Sequence, residues 1–370
     1  MVTESPKMDS NRLLSRVDGF LLDLSPSDRV GVWVHCDCDG LMSGVIASKA
    51  VERMTGKRPA VFFCSGYPSR EGLQKKIDVL RDARCTKVMI LDLSLDQDDF
   101  VVKSLESFAR ILFVDHHKIY NDFNSDRTVF VKADWVLKQE MDPSRYPASK
   151  MAFDLFSRLV NLSDLAWCAC IGVFADAAAS SWQEFMDAEI SKAASSLDEI
   201  KRCASIIDAV GIIDNARFGE LYELFLVAKH PSDILHSPFA KLAADLESEM
   251  DFWLSEFKKK AEFFDDLELV WFVYTPRFAV KSPLINKISF ELYPNRTVIL
   301  VQLLDGLKTA NFSGRRQDGL VRVNDLLEAS VKGIEGGSAG GHAPAAAGKV
   351  LRKDLEEFKQ NLLGILRKKK

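Results

Sequence analysis

The sequence predicts an α/β protein: a parallel sheet with helices on both faces, a helical connector, and a smaller α+β C-terminal domain. Three observations carry this reading. Short apolar runs alternate with helical patterns of about ten residues from Arg29 to Asp115. Helical periodicity dominates from Pro147 to Asp266, and strand-like runs return after Leu267.

The elements follow in order. Residues 1–28 read as a helical lead-in. Val30 to His35, rich in Val and Trp, is the first strand, and Leu41 to Met54 the helix after it. Ala60 to Phe63 is the second strand, followed by a helix over Gln74 to Asp82. Lys87 to Leu93 is an apolar strand with Asp92 near its end. Gln97 to Phe108 fits a helix, and the strand Arg110 to Val114 leads into Asp115. Residues 29–190 are taken as the first domain and 191–266 as the connector. Within the connector, Ser237 to Phe264 predicts one amphipathic helix, with Ser237 as N-cap and Pro238 at the first helical position. Leu242, Leu246, Met250, Trp253 and Phe257 follow at spacings of three and four. Residues 267–370 form the second domain. Its strands are LELVWFVY, KISFELY, TVILVQLL and KTANFSG, followed by a helix at Val323 to Ser330, a Gly-rich loop, and a helix near Lys353 to Leu366. The tail Arg367 to Lys370 is expected to be a solvated end.

Composition narrows the function classes. The chain has 370 residues, 47% hydrophobic and 28% charged, which is globular usage and excludes disorder, collagen and coiled coil. Lys plus Arg number 49 and Asp plus Glu 53, a net charge of −4, so polyanion binding must come from a local site or a metal. No run approaches the roughly 18 apolar residues of a membrane span. The N-terminus lacks the apolar core of a secretory signal. Seven cysteines lie in apolar runs, an odd count that does not form a disulfide framework, so a reduced cytoplasmic protein is expected.

Three polar clusters fall at the carboxyl ends of three strands: His35-Cys36-Asp37-Cys38-Asp39, Asp92, and Asp115-His116-His117. In open α/β sheets, sites lie outside those ends. His35, Asp37 and Asp39 alternate, so they project to one side of an extended chain. Cys36 and Cys38 then point away and pack inward. Two neighbouring carboxylates are costly without a cation. With Asp92, His116, His117 and Asp176, the donor set is oxygen-rich with imidazole. Such a set suits Mn or Mg, with some tolerance of Zn, Fe or Co, and disfavours a structural Cys-type zinc site. Two adjacent ions suit in-line displacement at phosphorus. The segment Gly336 to His342 lets backbone approach an anion closely.

These motifs together carry a family resemblance. HCDCDG at 35–40, LDLS at 91–94, DHH at 115–117, FAD at 174–176 and GGH at 340–342 resemble the DHH phosphoesterase family, in its RecJ-like branch. The short HxDxDG form and the compact chain are similar to archaeal-type single-strand exonucleases and nanoRNases. The resemblance implies a DHH domain over 29–190, a DHH-associated domain over 267–370, and two Mn²⁺ ions, with Mg²⁺ or Co²⁺ as substitutes. By that analogy His35 and Asp37 bind one ion, Asp39 and His116 the other, Asp92 bridges, and Asp176 completes the set. Asp115 orients an imidazole and His117 faces the scissile phosphate, as the catalytic pair. Arg315, with Arg316 as the alternative, grips substrate, and Gly340, Gly341 and His342 contact its far end. Gly348 stands six residues after His342, one more than the family spacing. All six ligand positions are kept, which argues against an inactive scaffold.

The leading expectation is a metal-dependent exonuclease that releases mononucleotides from single-stranded DNA, single-stranded RNA or short oligonucleotides. One alternative is a phosphodiesterase or phosphatase for small nucleotides, such as cyclic dinucleotides or 3′-phosphoadenosine 5′-phosphate. Another is a partner in a replication or repair assembly, with nuclease activity secondary. Phe312, beside the Arg pair, is expected to pack in the core rather than stack on a base.

Overall fold

A computed structural model of the chain describes residues 9–66, 69–137 and 141–368. The first eight residues of the expected lead-in and the last two of the basic tail lie outside them. The structure divides into two units, Met1–Ala240 and Lys241–Lys370. The division falls inside the segment read as a connector. Its helices Leu197–Ile213, Phe218–Val227 and Pro231–Leu235 lie in the first unit. The helix Ala240–Lys260 leads into the second and is tied to it by Glu249, whose carboxylate accepts from Arg277 at 3.0 Å.

The first unit is built on five strands: β1 (Val30–His35), β2 (Val61–Ser65), β3 (Lys87–Leu91), β4 (Arg110–Asp115) and β5 (Thr128–Lys132). Their order is β2-β1-β3-β4-β5, and every pairing is parallel. Near-continuous apolar sequence is what a sheet covered on both faces requires. One face carries Trp33, Val88, Ile90, Phe113 and Phe130, packed with Ile77, Leu80, Val101 and Leu105 of the helices Arg70–Asp82 and Phe100–Glu106. The helices Cys38–Thr55 and Ala148–Phe156 also pack against strands of this sheet. β5 was not foreseen; its short TVFVK run has no flanking helix pattern to set it off.

This strand order reverses direction between β1 and β3. That is a topological switch point, where the loops leaving neighbouring strands diverge and open a crevice. His35 ends β1, and Asp92 follows β3. The sheet therefore brings two of the three polar clusters to one crevice, and β4 carries Asp115 beside them.

The second unit has a six-stranded mixed sheet of order β10-β11-β9-β8-β7-β6. Its strands are β6 (Glu262–Phe264), β7 (Leu269–Tyr274), β8 (Thr297–Gln302), β9 (Thr309–Arg315), β10 (Ser338–His342) and β11 (Ala345–Leu351). One face packs on the helices Val323–Val331 and Leu355–Lys368 through Trp271, Ile299, Val301, Phe312, Leu327, Phe358 and Leu362. Phe312 is fully buried and stacks on Phe358 at 4.2 Å between centroids, a core residue as expected.

Three expectations are corrected. KISFELY is not a strand: the helix Lys281–Lys287 runs into a π turn, with Tyr293 N–H bonded to the Ile288 carbonyl at 2.9 Å. The apolar face is Leu284, Ile285 and Ile288, all fully buried at helical spacing, while Phe290 is 62% exposed. The period-two reading began too late in the segment to include the residues that set the face. The Gly-rich loop is instead the hairpin β10–β11, whose small residues carry no alternation signal. The long helix starts at Ala240 rather than after Ser237. Ser237 and Pro238 form the preceding turn, in which Ser237 Oγ accepts from Phe239 N–H at 3.3 Å. Among the described residues, no helix is long and apolar enough to cross a membrane.

Candidate metal centre

The segment after β1 is not extended throughout, as strict alternation of its side chains would require. Asp37 is the N-cap of the helix Cys38–Thr55, its Oδ1 accepting from Gly40 N–H at 2.9 Å. Asp39 then lies in the first helical turn. It is 1% exposed, and its two oxygens accept backbone N–H groups from Ala148 at 2.6 Å and Ser149 at 2.9 Å. Those donors are unsatisfied by their own helix, Ala148–Phe156, and they aim the carboxylate. Cys38 is buried against the Ala204 carbonyl, but Cys36 is only half-buried and lies against Cys64.

Asp92 leaves β3 in the left-handed region, φ 60°, with its N–H bonded to Val114 O at 3.0 Å. Such a conformation costs an aspartate about 1–3 kcal/mol and marks sites where placement matters. His116 Nδ1 bonds to the Ser144 carbonyl at 3.2 Å. That contact makes Nδ1 the protonated nitrogen and leaves the Nε2 lone pair for the crevice. Nε2 lies 3.3 Å from Asp92 Oδ1, 3.3 Å from Asp176 Oδ2 and 4.0 Å from Asp39 Oδ2. His35 Nδ1 bonds to Asp37 and lies 3.8 Å from Asp92. Asp176 terminates the helix Ala166–Ala175. Three groups result, each with donor atoms within 4.8 Å: His35-Asp37-Asp92, Asp39-His116-Asp176 and Asp92-His116-His117.

The electrostatics favour a cation here. Burial pushes Asp92 well above the carboxylate range, and the neighbouring Asp39 and Asp37 charges push it further. Asp176 is pushed up to about 9 by burial and the same two carboxylates. Asp39 is also raised, by burial, against the pull of His116. Carboxylates crowded this way resist ionisation unless positive charge joins them. The donor set, oxygens with imidazole and no thiolate, suits a hard to borderline divalent ion.

Asp115 works differently. It is fully buried, and its carboxylate accepts from His117 Nδ1 at 2.7 Å and from Lys132 Nζ. Burial would raise its pKa, but the His117 hydrogen bond and the Lys132 charge outweigh burial and hold it below the usual range. Burial likewise opposes the charge on His117, and Asp115 overcomes it and raises the imidazole. The imidazole oriented by Asp115 is therefore His117. Lys132, fully buried and 3.3 Å from Asp96, was not singled out in the sequence. A lysine closing an otherwise apolar run was the available signal.

Gly172 was missed as well. A Cβ there would meet Ser149 Oγ at 2.1 Å and Asp39 Oδ1 at 2.6 Å. Only glycine lets the helix Ala166–Ala175 pass this close to the Asp39 carboxylate. A lone glycine within ACIGVFAD, four residues before Asp176, was its trace in the sequence.

The remaining candidates lie in the second unit. Antiparallel register aligns His342 with Ala345 and Ala345 with Arg315, so the three share one face of the sheet. Gly340, Ala347 and Ser313 form the next row. Arg315 is half-buried, with Nε on Asn286 Oδ1 at 3.2 Å. Arg316 is 2% exposed and engaged with Asp318 at 2.8 Å and Glu268 at 2.6 Å. It braces the unit and has no free guanidinium edge for a ligand. Gly341 has φ 142°, and a Cβ would stand 2.6 Å from Ala345 O.

Comparison with solved structures decides the fold. The chain superimposes on the RecJ of Thermus thermophilus, solved with Mn²⁺, at TM-score 0.67 and 16% identity, over 100% of this chain and 56% of that one. It matches an exonuclease RecJ bound to manganese at TM-score 0.70 and 15% identity, over 99% and 96% of the two chains. The fold is that of the RecJ-like DHH proteins. A DHH domain from a member of the s1p family of ribosomal proteins is also similar, at TM-score 0.68 and 13% identity, over 97% and 92%. This chain thus spans about half the Thermus RecJ, and nearly all of the other two. No family model matches the sequence, and no curated protein does. The likeness lies in the RecJ-like fold, not in close sequence.

Proposed function

We propose that this RecJ-like chain is a metal-dependent phosphoesterase that acts as an exonuclease on single-stranded DNA, single-stranded RNA or short oligonucleotides, and releases mononucleotides. The observation that supports it most is the convergence of Asp37, Asp39, Asp92 and Asp176 with His35 and His116 at the switch point. His35, Asp37, Asp92, Asp39, His116 and Asp176 would hold two divalent ions, preferably Mn²⁺, with Asp92 available to both. His35 and Asp37 would serve one ion, and Asp39, His116 and Asp176 the other. Divalent ions held there supply Lewis-acid charge and an activated water for in-line attack at phosphorus.

The protein's own residues do the positioning. The N–H groups of Ala148 and Ser149 fix Asp39. Ser144 sets the His116 tautomer. Asp115, itself held by Lys132, keeps His117 oriented and its imidazolium stabilised, in reach of a phosphate beside Asp92. In the second unit Arg315 suits bidentate phosphate binding. His342 shares its sheet face.

A second reading, a phosphodiesterase for small nucleotides, is favoured by the net charge of −4, which offers a long polyanion no bulk attraction. One assay separates the two. DNA and RNA strands from two to about 25 nucleotides, labelled at either end, are incubated with Mn²⁺ or chelator. A Mn²⁺-dependent ladder from one end of the longer strands is expected, absent in Asp92→Asn. Turnover confined to the shortest oligomers would favour the small-nucleotide reading. Chelator-resistant cleavage would refute both.

A further inference from the structure

Two of the seven cysteines lie together beside the candidate metal centre. Cys64 is on β2, the strand at the edge of the first sheet, and Cys36 is in the bend between β1 and the helix Cys38–Thr55. Register pairs Cys64 with Val34, so the chain brings Cys36 up beside Cys64 two residues later. The Cys36 thiol donates a hydrogen bond to Cys64. Both are half-buried, whereas Cys38, Cys85, Cys168, Cys170 and Cys203 are buried. The Lys76 ammonium stands 4.6 Å above the ring of Phe63, next in sequence to Cys64. The Cys36 hydrogen bond and the Lys76 charge outweigh burial and favour the Cys64 thiolate.

A thiol pair at an accessible sheet edge, near a cation, is the arrangement that oxidises first. Its place gives oxidation a consequence. The covalent neighbours of Cys36 are His35 and Asp37, both candidate ion ligands. Asp37 also caps the helix Cys38–Thr55 through Gly40 N–H. The bend has little slack: a Cβ at Gly40 would stand 2.3 Å from the His35 carbonyl oxygen. A sulfur–sulfur bond of about 2.0 Å is much shorter than a hydrogen-bonded sulfur contact, so closing it pulls the bend at Cys36 toward β2. His35 and Asp37 move with it.

We propose that Cys36 and Cys64 are a redox modification site: peroxide joins them in a disulfide that withdraws His35 and Asp37 from the metal centre, and a dithiol reverses it. The Cys64 thiolate attacks one peroxide oxygen. The S–O bond forms, the O–O bond breaks, and the departing hydroxide takes a proton to become water. The Cys36 sulfur then attacks the Cys64 sulfur. The S–S bond forms, the S–OH bond breaks, and this second hydroxide takes the Cys36 proton. In all, the two thiols lose two electrons and the peroxide is reduced to two waters. The thiol pair and its bend stand on the first unit alone. Their effect on ion binding rests on the proposed function.

The test uses the full chain, freed of metal, treated with hydrogen peroxide and then with catalase. Peptide mass mapping is expected to find Cys36 joined to Cys64, and dithiothreitol to separate them. Amide exchange at Gly40 should quicken by about fivefold in the oxidised protein, because the Asp37 cap is displaced. Calorimetric Mn²⁺ affinity should fall by about tenfold or more. Cys64→Ser, a change outside the ligand segment, should keep the reduced wild-type exchange and affinity with or without peroxide. A Cys36–Cys64 disulfide that alters neither quantity overturns the inference, as does oxidation that leaves these two sulfurs unjoined. Equal losses in peroxide-treated Cys64→Ser assign the effect to other oxidised residues and also overturn it. Disulfide-dependent exchange at Gly40, in a chain that binds no Mn²⁺ even when reduced, would leave the thiol site standing while the metal reading fails.

Discussion

Lys132 and Asp115 are both fully buried and ion-paired, in a cluster that Asp96 and His117 complete. Replacing Lys132 with Met removes the buried cation that Asp115 and Asp96 share and should cost about 3–5 kcal/mol in chemical denaturation. Adding Asp115→Asn to that variant should recover part of the stability, Asp96 still lacking its cation, but not the activity, because His117 loses its orienting carboxylate. Equal stability of the single and double variants would contradict this pairing. Gly172 is a steric case. Gly172→Ala should cost about 1–3 kcal/mol by overpacking. Displacing Asp39 by an ångström should also reduce turnover by about 100-fold. Mn²⁺ affinity measured by calorimetry should fall with it. An alanine variant with unchanged affinity would show that Asp39 is not held by this contact.

At the scale of elements, the hairpin β10–β11 depends on one backbone conformation. Gly341 sits at φ 142° with no room for a Cβ, whereas a Cβ at Gly340 meets nothing within 4 Å. Gly341→Val should destabilise the second unit by about 1–3 kcal/mol. Gly340→Ala should stay within about 0.5 kcal/mol of wild type. Thermal melts of both, followed by circular dichroism, check the contrast. The helix Ala240–Lys260 is anchored by Glu249, which accepts from Arg277 N–H at 2.8 Å and from Trp253 Nε1 at 2.9 Å. Burial would raise its pKa, but these hydrogen bonds and the Arg277 charge lower it. A carboxyl depressed on folding stabilises fully above its unfolded pKa, near 4.3, and loses that contribution as pH falls through the folded value. Glu249→Gln should therefore cost about 1–2 kcal/mol at pH 7 and progressively less below pH 4. Urea midpoints across pH measure it, and a penalty independent of pH would exclude the linkage.

Across the molecule, the candidate ion ligands lie in the first unit and Arg315 in the second. An ion that binds only the folded first unit stabilises it by mass action, about 2.7 kcal/mol at a hundred times Kd. Mn²⁺ should slow amide exchange in β1, β3 and β4 and leave β7 to β9 unchanged. Asp92→Asn should abolish the effect.

Much of this was legible in the chain itself. Alternating apolar runs and helical patterns determined a parallel sheet, because each period matches one way of burying a face. Polar clusters at strand ends marked the site, because charge at the end of a buried run needs a reason. What tertiary structure alone decided is how distant segments meet. Strand order, which no local pattern encodes, put β1 beside β3 and made the switch point. Backbone donors from Ala148 and Ser149 and the gap left by Gly172 aim Asp39 from more than a hundred residues away. Arg315 and Arg316 are neighbours in sequence, yet the pleat turns one toward Asn286 and buries the other against Glu268. Sequence determined which chemistry was present; packing decided which groups face it, because orientation and burial arise only when elements close on one another.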